Sequence, residues 1–86
     1  EVEAAIDSLK GVRSSAVIGL PDEDLGNIVH AIVDIADEVV TEEELLSHLA
    51  ERLVGYKIPR SIEFVSKPLR DDAGKVRRRS LLKERT

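Results

Sequence analysis

The chain has 86 residues, a net charge of −4 at pH 7, one Phe, one Tyr and neither Trp nor Cys. That length allows one small domain whose modest core must be aliphatic. Disulfides and thiolate metal sites are excluded, and no apolar run approaches the length of a membrane span. With no basic-then-apolar leader and nothing that argues for an oxidising compartment, a cytoplasmic protein is expected. The chain also lacks Met, an initiator included, and Glu1-Val2-Glu3 reads like the inside of an element; both suggest a piece of a longer polypeptide.

Val2, Ala5, Ile6 and Leu9 recur at helical spacing and Gly11 follows as a stop, which predicts a short amphipathic helix. Ser15 to Leu20 is an apolar run ended by Pro21 and predicts a strand; Pro21 to Asn27 is rich in turn formers. Val29, Ala31, Val33 and Ile35 then alternate with Ile28, His30, Ile32 and Asp34, as in a strand with one well-buried face, expected to pair with the first strand as an antiparallel hairpin. Thr41-Glu42-Glu43-Glu44 is a capping box, in which the Thr41 hydroxyl can bond a first-turn amide and Glu44 can reach back, with acidic residues at the positive helix end. Leu45, Leu46, Leu49 and Leu53 form one apolar stripe, and Gly55 ends the helix. Ser61 to Val65 predicts a third strand with Ile62 and Phe64 on its buried face. Lys67 to Lys75 is a polar loop carrying Pro68 and Gly74, and Arg78 to Arg85 is a terminal helix with Leu81 and Leu82. The fold class is α+β, a small three-stranded sheet covered by helices in the order α-β-β-α-β-loop-α.

Ten of the 13 Lys and Arg residues lie from Lys57 onward, an asymmetry that points to an anionic partner for this segment. Within it Lys75 follows Gly74. An ammonium is a compact charge on a flexible stem, and glycine opens backbone conformations closed to other residues. The pair can carry a cation into a site and stabilise negative charge on a phosphate or carboxylate during transfer, although an exposed loop lysine is the ordinary reading of such a residue. His30 and His48 are not near other ligands at metal spacing and read as structural. There is no Ser-His-Asp order and no Walker-type loop. A small nucleic-acid or phospholigand-binding module built on the basic tail is an alternative; few aromatic rings for base stacking and an acidic first half argue against it.

Three segments in order carry more information than any one of them. Val17-Ile18-Gly19-Leu20-Pro21-Asp22 followed by Gly26, then Tyr56-Lys57-Ile58-Pro59-Arg60, then Asp71-Asp72-Ala73-Gly74-Lys75-Val76-Arg77-Arg78 resembles the small C-terminal domain of the adenylate-forming enzymes. These are the acyl-CoA synthetases, aryl-CoA ligases, peptide-synthetase adenylation domains and luciferases, and the resemblance runs from Glu1 to about Lys83. It implies that residues 1–86 form a single C-terminal lid domain of a larger enzyme, with the large N-terminal ATP- and acid-binding domain and the hinge outside this sequence. The implied activity is that of an ATP-dependent acid–CoA ligase: acyl-adenylate formation, then thioester formation, with this piece inactive alone. A peptide-synthetase adenylation domain is the rival within the family.

The resemblance further implies ATP and coenzyme A as cofactors, Mg2+ held by the N-terminal domain, and that domain and a carboxylic acid as partners, with no nucleic acid and no membrane span. It assigns Lys75 as catalytic, stabilising charge as pentavalent character develops at phosphorus, and Gly74, Lys57 and Arg78 as cofactor-binding. Lys57 has a second, favoured reading, in which Tyr56 and Pro59 anchor the turn from helix to strand. Arg78 matches a basic residue three positions after the lysine, expected to pair with an acidic group of the large domain or to fix the loop. The sequence departs from the family pattern at Lys67-Pro68-Leu69-Arg70-Asp71, where the Pro-Leu order is reversed and Asp71 replaces a common threonine. It departs again at Ala50 and Leu25, where some relatives carry coenzyme A contacts; Arg52 is a candidate substitute for the first.

Overall fold

In a computed structural model, residues 2–24, 26–36, 39–69 and 78–85 are described. The elements are α1 (Val2–Asp7), β1 (Ser14–Asp22), β2 (Gly26–Asp34), α2 (Glu42–Ala50), a 3-10 turn (Gly55–Lys57), β3 (Ser61–Val65) and α3 (Arg78–Arg85). The α+β class and the expected order are borne out.

β1 and β2 form the expected antiparallel hairpin, in register from Ser14 opposite Asp34 to Asp22 opposite Gly26. Gly26 returns the chain into β2 with φ 80°, a left-handed conformation that glycine adopts without steric cost. β1 runs two residues beyond the predicted end, through Pro21. It lies at the edge of the sheet, where strand order is β1-β2-β3, and an edge strand tolerates a residue that lacks an amide donor.

β3 pairs with β2 in parallel, His30 opposite Ser61 through Asp34 opposite Val65. Parallel neighbours require a crossover, and α2 lies on that crossover. The Thr41 hydroxyl accepts from the Glu44 amide at 3.1 Å, as the capping box predicts. α2 stops at Ala50, earlier than expected, with the Arg52 and Leu53 amides donating to the Leu49 carbonyl at 3.0 and 2.8 Å. Gly55 therefore opens the 3-10 turn and does not end the helix.

The central strand is buried on both faces, a departure from the single buried face that its alternation suggests. On one side Ala31 and Val33 pack with Ile6 of α1 and Leu45 and Leu49 of α2, joined by Val17, Ile62 and Phe64. On the other, Ile32 packs with Ala16, Ile18, Leu69 and Leu81, joined by Leu20, Val65 and Leu82. α3 and Leu69 provide that second cover. An apolar cover on both faces accounts for the near-continuous apolar run of β2.

Two polar ties fasten the layers. The Ser15 hydroxyl of β1 donates to the Asp7 carboxylate of α1 at 2.6 Å. His48 Nε2 lies 3.1 Å from the Ala5 carbonyl, so it carries the proton and joins α2 to α1; its structural role is as expected.

Candidate functional site

Lys57 and Arg78, far apart in sequence, meet at one open groove. It encloses about 500 Å³ and is lined by Val2, Glu3, Val17, Lys57 and Arg78. A second groove of about 310 Å³, lined by Val17, Ile18, Gly19, Arg78, Arg79 and Leu82, shares Val17 and Arg78 with it. Val17 of β1 lines both grooves, and the cations come from two other elements.

Lys57 ends the 3-10 turn. Its amide donates to the Val54 carbonyl at 2.9 Å, and its ammonium stands 6.0 Å from the centre of the Tyr56 ring. Tyr56 is 83% exposed, so it does not anchor the turn by burial; Pro59 does, being buried, and the Arg60 amide then joins β2 at the Val29 carbonyl. The anchoring expected of Tyr56 and Pro59 thus falls to Pro59.

Arg78 is the first residue of α3. Its Nη2 donates to both oxygens of Glu3, at 2.5 and 2.7 Å. Glu3 Oε2 also accepts from the Val17 amide at 2.8 Å. One carboxylate thereby joins α1, β1 and the start of α3. Arg78 pairs with an acidic group inside this domain, and Glu3 had no signal in the sequence beyond its place on the first helix. Lys75 and Gly74, with Arg70, Asp71, Asp72 and Arg77 beside them, lie outside the described residues.

Behind α3 lies a polar cluster that the sequence did not reveal. His30 Nε2 lies 3.1 Å from Glu63 Oε1 and Nδ1 lies 2.6 Å from the Ser61 hydroxyl. A carboxylate only accepts, so Nε2 carries a proton, and in the neutral ring Nδ1 accepts from Ser61. Arg85 of α3 closes the cluster, its Nε and Nη2 donating to the two Glu63 oxygens at 2.7 and 2.6 Å. The Arg85 hydrogen bonds, with lesser help from His30 and against the cost of partial burial, lower the Glu63 pKa to about 2. His30 is almost fully buried here, in a structural role. The β2–β3 register brings His30, Ser61 and Glu63 together, and the packing of α3 adds Arg85.

At the opposite end of the sheet Asp34 is completely buried. Burial alone pushes its carboxyl up, but hydrogen bonds from Arg13 at 2.6 and 3.0 Å, the Ala36 amide at 3.0 Å and the Ser14 hydroxyl at 3.2 Å outweigh it and hold the pKa below the ordinary carboxylate value. This knot lies away from the groove and ties the ends of β1 and β2. Among the described residues no group of His, Asp or Glu side chains could hold a metal ion, and no helix is long and apolar enough to cross a membrane.

Residues 1–75 match the family described as the AMP-binding enzyme C-terminal domain, so Lys75 is the last residue matched. A propanoyl:CoA ligase of Rhodococcus jostii, specific by name for a methyl-dioxo-octahydroindenyl acid, is 42% identical over 87 aligned positions, covering 99% of this chain and 17% of its own length. The Mycobacterium tuberculosis fatty acyl CoA synthetase superposes with a TM-score of 0.88 at 36% identity, over 98% of this chain and 17% of that one. ATP-bound MatB from Rhodopseudomonas palustris superposes with a TM-score of 0.84 at 33% identity, over 96% and 17%. The chain belongs to the AMP-binding enzyme C-terminal domain family. It spans about a sixth of the length of the relatives it matches.

Proposed function

We propose that residues 1–86 are the mobile catalytic lid of an ATP-dependent acid–CoA ligase, working with a larger N-terminal domain of the same polypeptide. The observation that carries the reading is the groove where Lys57 and Arg78 converge, with Arg78 only three residues beyond Lys75. Positive charge from two separate elements, the turn before β3 and the start of α3, is gathered at this groove.

In the first half-reaction an oxygen of the acid's carboxylate forms a bond to the α-phosphorus of ATP. The bond from that phosphorus to the bridging oxygen breaks, and pyrophosphate leaves. Negative charge accumulates on the non-bridging oxygens as phosphorus becomes five-coordinate. The Lys75 ammonium, free of covalent chemistry, stabilises that charge and orients the carboxylate. In the second half-reaction the lid turns, Lys75 withdraws, and the thiol of coenzyme A attacks the acyl carbon and displaces AMP. We assign Gly74 to the backbone freedom the lysine needs, and Lys57 to phosphate oxygens at the edge of the cleft. Mg2+ belongs with the triphosphate on the N-terminal domain, and the cytoplasm is where ATP and coenzyme A are both at hand. The named acids of the relatives differ, a bicyclic propanoate in one and a fatty acid in another, although their lids are similarly close to this chain. Acid choice accordingly belongs to the larger domain.

The test is acid-dependent exchange of pyrophosphate into ATP by the longer polypeptide. The wild type exchanges, the isolated 86-residue chain does not, and Lys75→Ala lowers the rate by about 100- to 1,000-fold. Undiminished exchange by Lys75→Ala would remove the proposal.

A further inference from the structure

β1 lies at the edge of the sheet and is paired along one side, to β2. The Val29 carbonyl takes the Arg60 amide and the Ile35 amide goes to the Val65 carbonyl, so odd-numbered residues along β2 bond toward β3. Their even-numbered neighbours bond toward β1, opposite Ala16, Ile18 and Leu20. Ser15, Val17, Gly19 and Pro21 therefore turn their backbone groups away from the sheet. Pro21 has no amide to offer. Ser15 is completely buried beside α1, its hydroxyl on Asp7 at 2.6 Å. The open part of the edge thus presents the amides of Val17 and Gly19. Glu3 occupies the first: its Oε2 accepts from Val17 at 2.8 Å while Arg78 holds both of its oxygens. Gly19 is exposed, and among the described residues nothing lies within 4 Å of where a Cβ would stand.

Ser14 to Leu20 carries no charge and no proline and includes Val17, Ile18 and Leu20, the composition of a segment that pairs with copies of itself. An open edge of that kind is a template for another strand. Two copies of β1 laid antiparallel set Val17 of each opposite Gly19 of the other, and each amide donates to the carbonyl it faces. With the Val17 amide on Glu3, half of those bonds cannot form. The Glu3 Oε2 stands where the second strand's carbonyl oxygen would be. An ion pair whose arginine is 53% exposed adds little to stability, but its geometry holds the carboxylate over Val17. We infer that β1 is a latent self-pairing edge and that Glu3 is its guard. By taking the Val17 amide, the carboxylate keeps β1 from pairing with the same strand of a second copy of the chain. The inference does not depend on the assignment of Lys75.

The experiment uses the longer polypeptide and compares the parent with Glu3→Ala, Glu3→Met, Glu3→Gln and the double variant Glu3→Ala/Gly19→Lys. Molar mass by light scattering is followed from about 1 μM to about 1 mM, together with hydrogen exchange at Val17. Glu3→Ala is expected to gain mass with concentration, toward double the parent's value. Its Val17 amide, fast to exchange when dilute, should slow by about tenfold or more as the mass rises. Glu3→Met keeps the length of the side chain without its acceptor and should behave alike, which covers the case in which Glu3→Ala folds poorly. Glu3→Gln retains an oxygen for the Val17 amide and should keep the parent's mass throughout. In the double variant a lysine enters the open space at Gly19, and two lysines brought close across paired edges repel, so the parent's mass should return. The inference is overturned if Glu3→Ala and Glu3→Met keep the parent's mass at every concentration, or gain mass without slower exchange at Val17. An equal gain by Glu3→Gln, or a gain that Gly19→Lys leaves unreversed, overturns it too.

Discussion

Glu63 illustrates how one side chain can report on the attachment of a whole element. Arg85 grips both of its oxygens and His30 meets one of them, which brings its pKa from 4.5 down to about 2. A carboxylate whose pKa is lower in the folded state stabilises the fold fully above its unfolded pKa and loses that contribution as pH falls through its folded one. The Glu63 contribution is thus complete above about pH 4.5 and lost on the way to about pH 2. Glu63→Gln should be less stable than the parent at neutral pH and should show a flatter fall in stability across that acid window, as measured by urea unfolding at a series of pH values. An identical acid limb would contradict the ion pair. None of this was legible beforehand. In the sequence His30, Ser61 and Glu63 are ordinary polar positions of alternating strands, and their meeting depends on a strand register that local patterning does not encode. Glu3 escaped for a similar reason, since its partner Arg78 is 75 positions away.

The elements themselves were more readable, because their signals are local. The Thr41 cap acts over three residues, and the structure forms the hydrogen bond that the motif predicts. Thr41→Ala should cost about 1 kcal/mol in denaturant unfolding, with the loss concentrated in α2. At two points packing overrides local signals. Gly55 looked like a helix stop, yet α2 closes at Ala50 and the chain turns to bring Leu53 against the core. Pro21 looked like a strand terminator, yet an edge strand can run through it. α3 spans Arg78 to Arg85, as the sequence predicts, and its dependence on Leu81 follows from the packing. Leu81→Ala should cost about 2–3 kcal/mol and speed hydrogen exchange in α3 well before α2. Equal protection of the two helices in that variant would show that the Arg78 and Arg85 ion pairs, not the leucine, attach α3.

At the scale of the whole molecule the hairpin was predictable, whereas the parallel pairing of β2 and β3 was not. A short turn dictates an antiparallel return, but the direction of β3 depends on where α2 packs during the crossover. The division of charge along the chain also changes meaning in three dimensions, since basic Arg78 from the last helix is met by acidic Glu3 from the first. Lys57, from the turn before β3, joins the same groove. The motif series points to Lys57, Gly74, Lys75 and Arg78 as candidates; the fold adds that Lys57 and Arg78 share a groove that Glu3 also lines. The decisive comparison separates the two half-reactions in the longer polypeptide, following acyl-adenylate formation from acid and ATP, and then thioester formation from adenylate supplied ready-made. With Lys75→Ala, a delivered cation predicts a loss of about 100-fold or more in the first reaction and near wild-type rates in the second. Equal loss in both, or none in the first, would show that Lys75 does not serve adenylate formation from a moving lid.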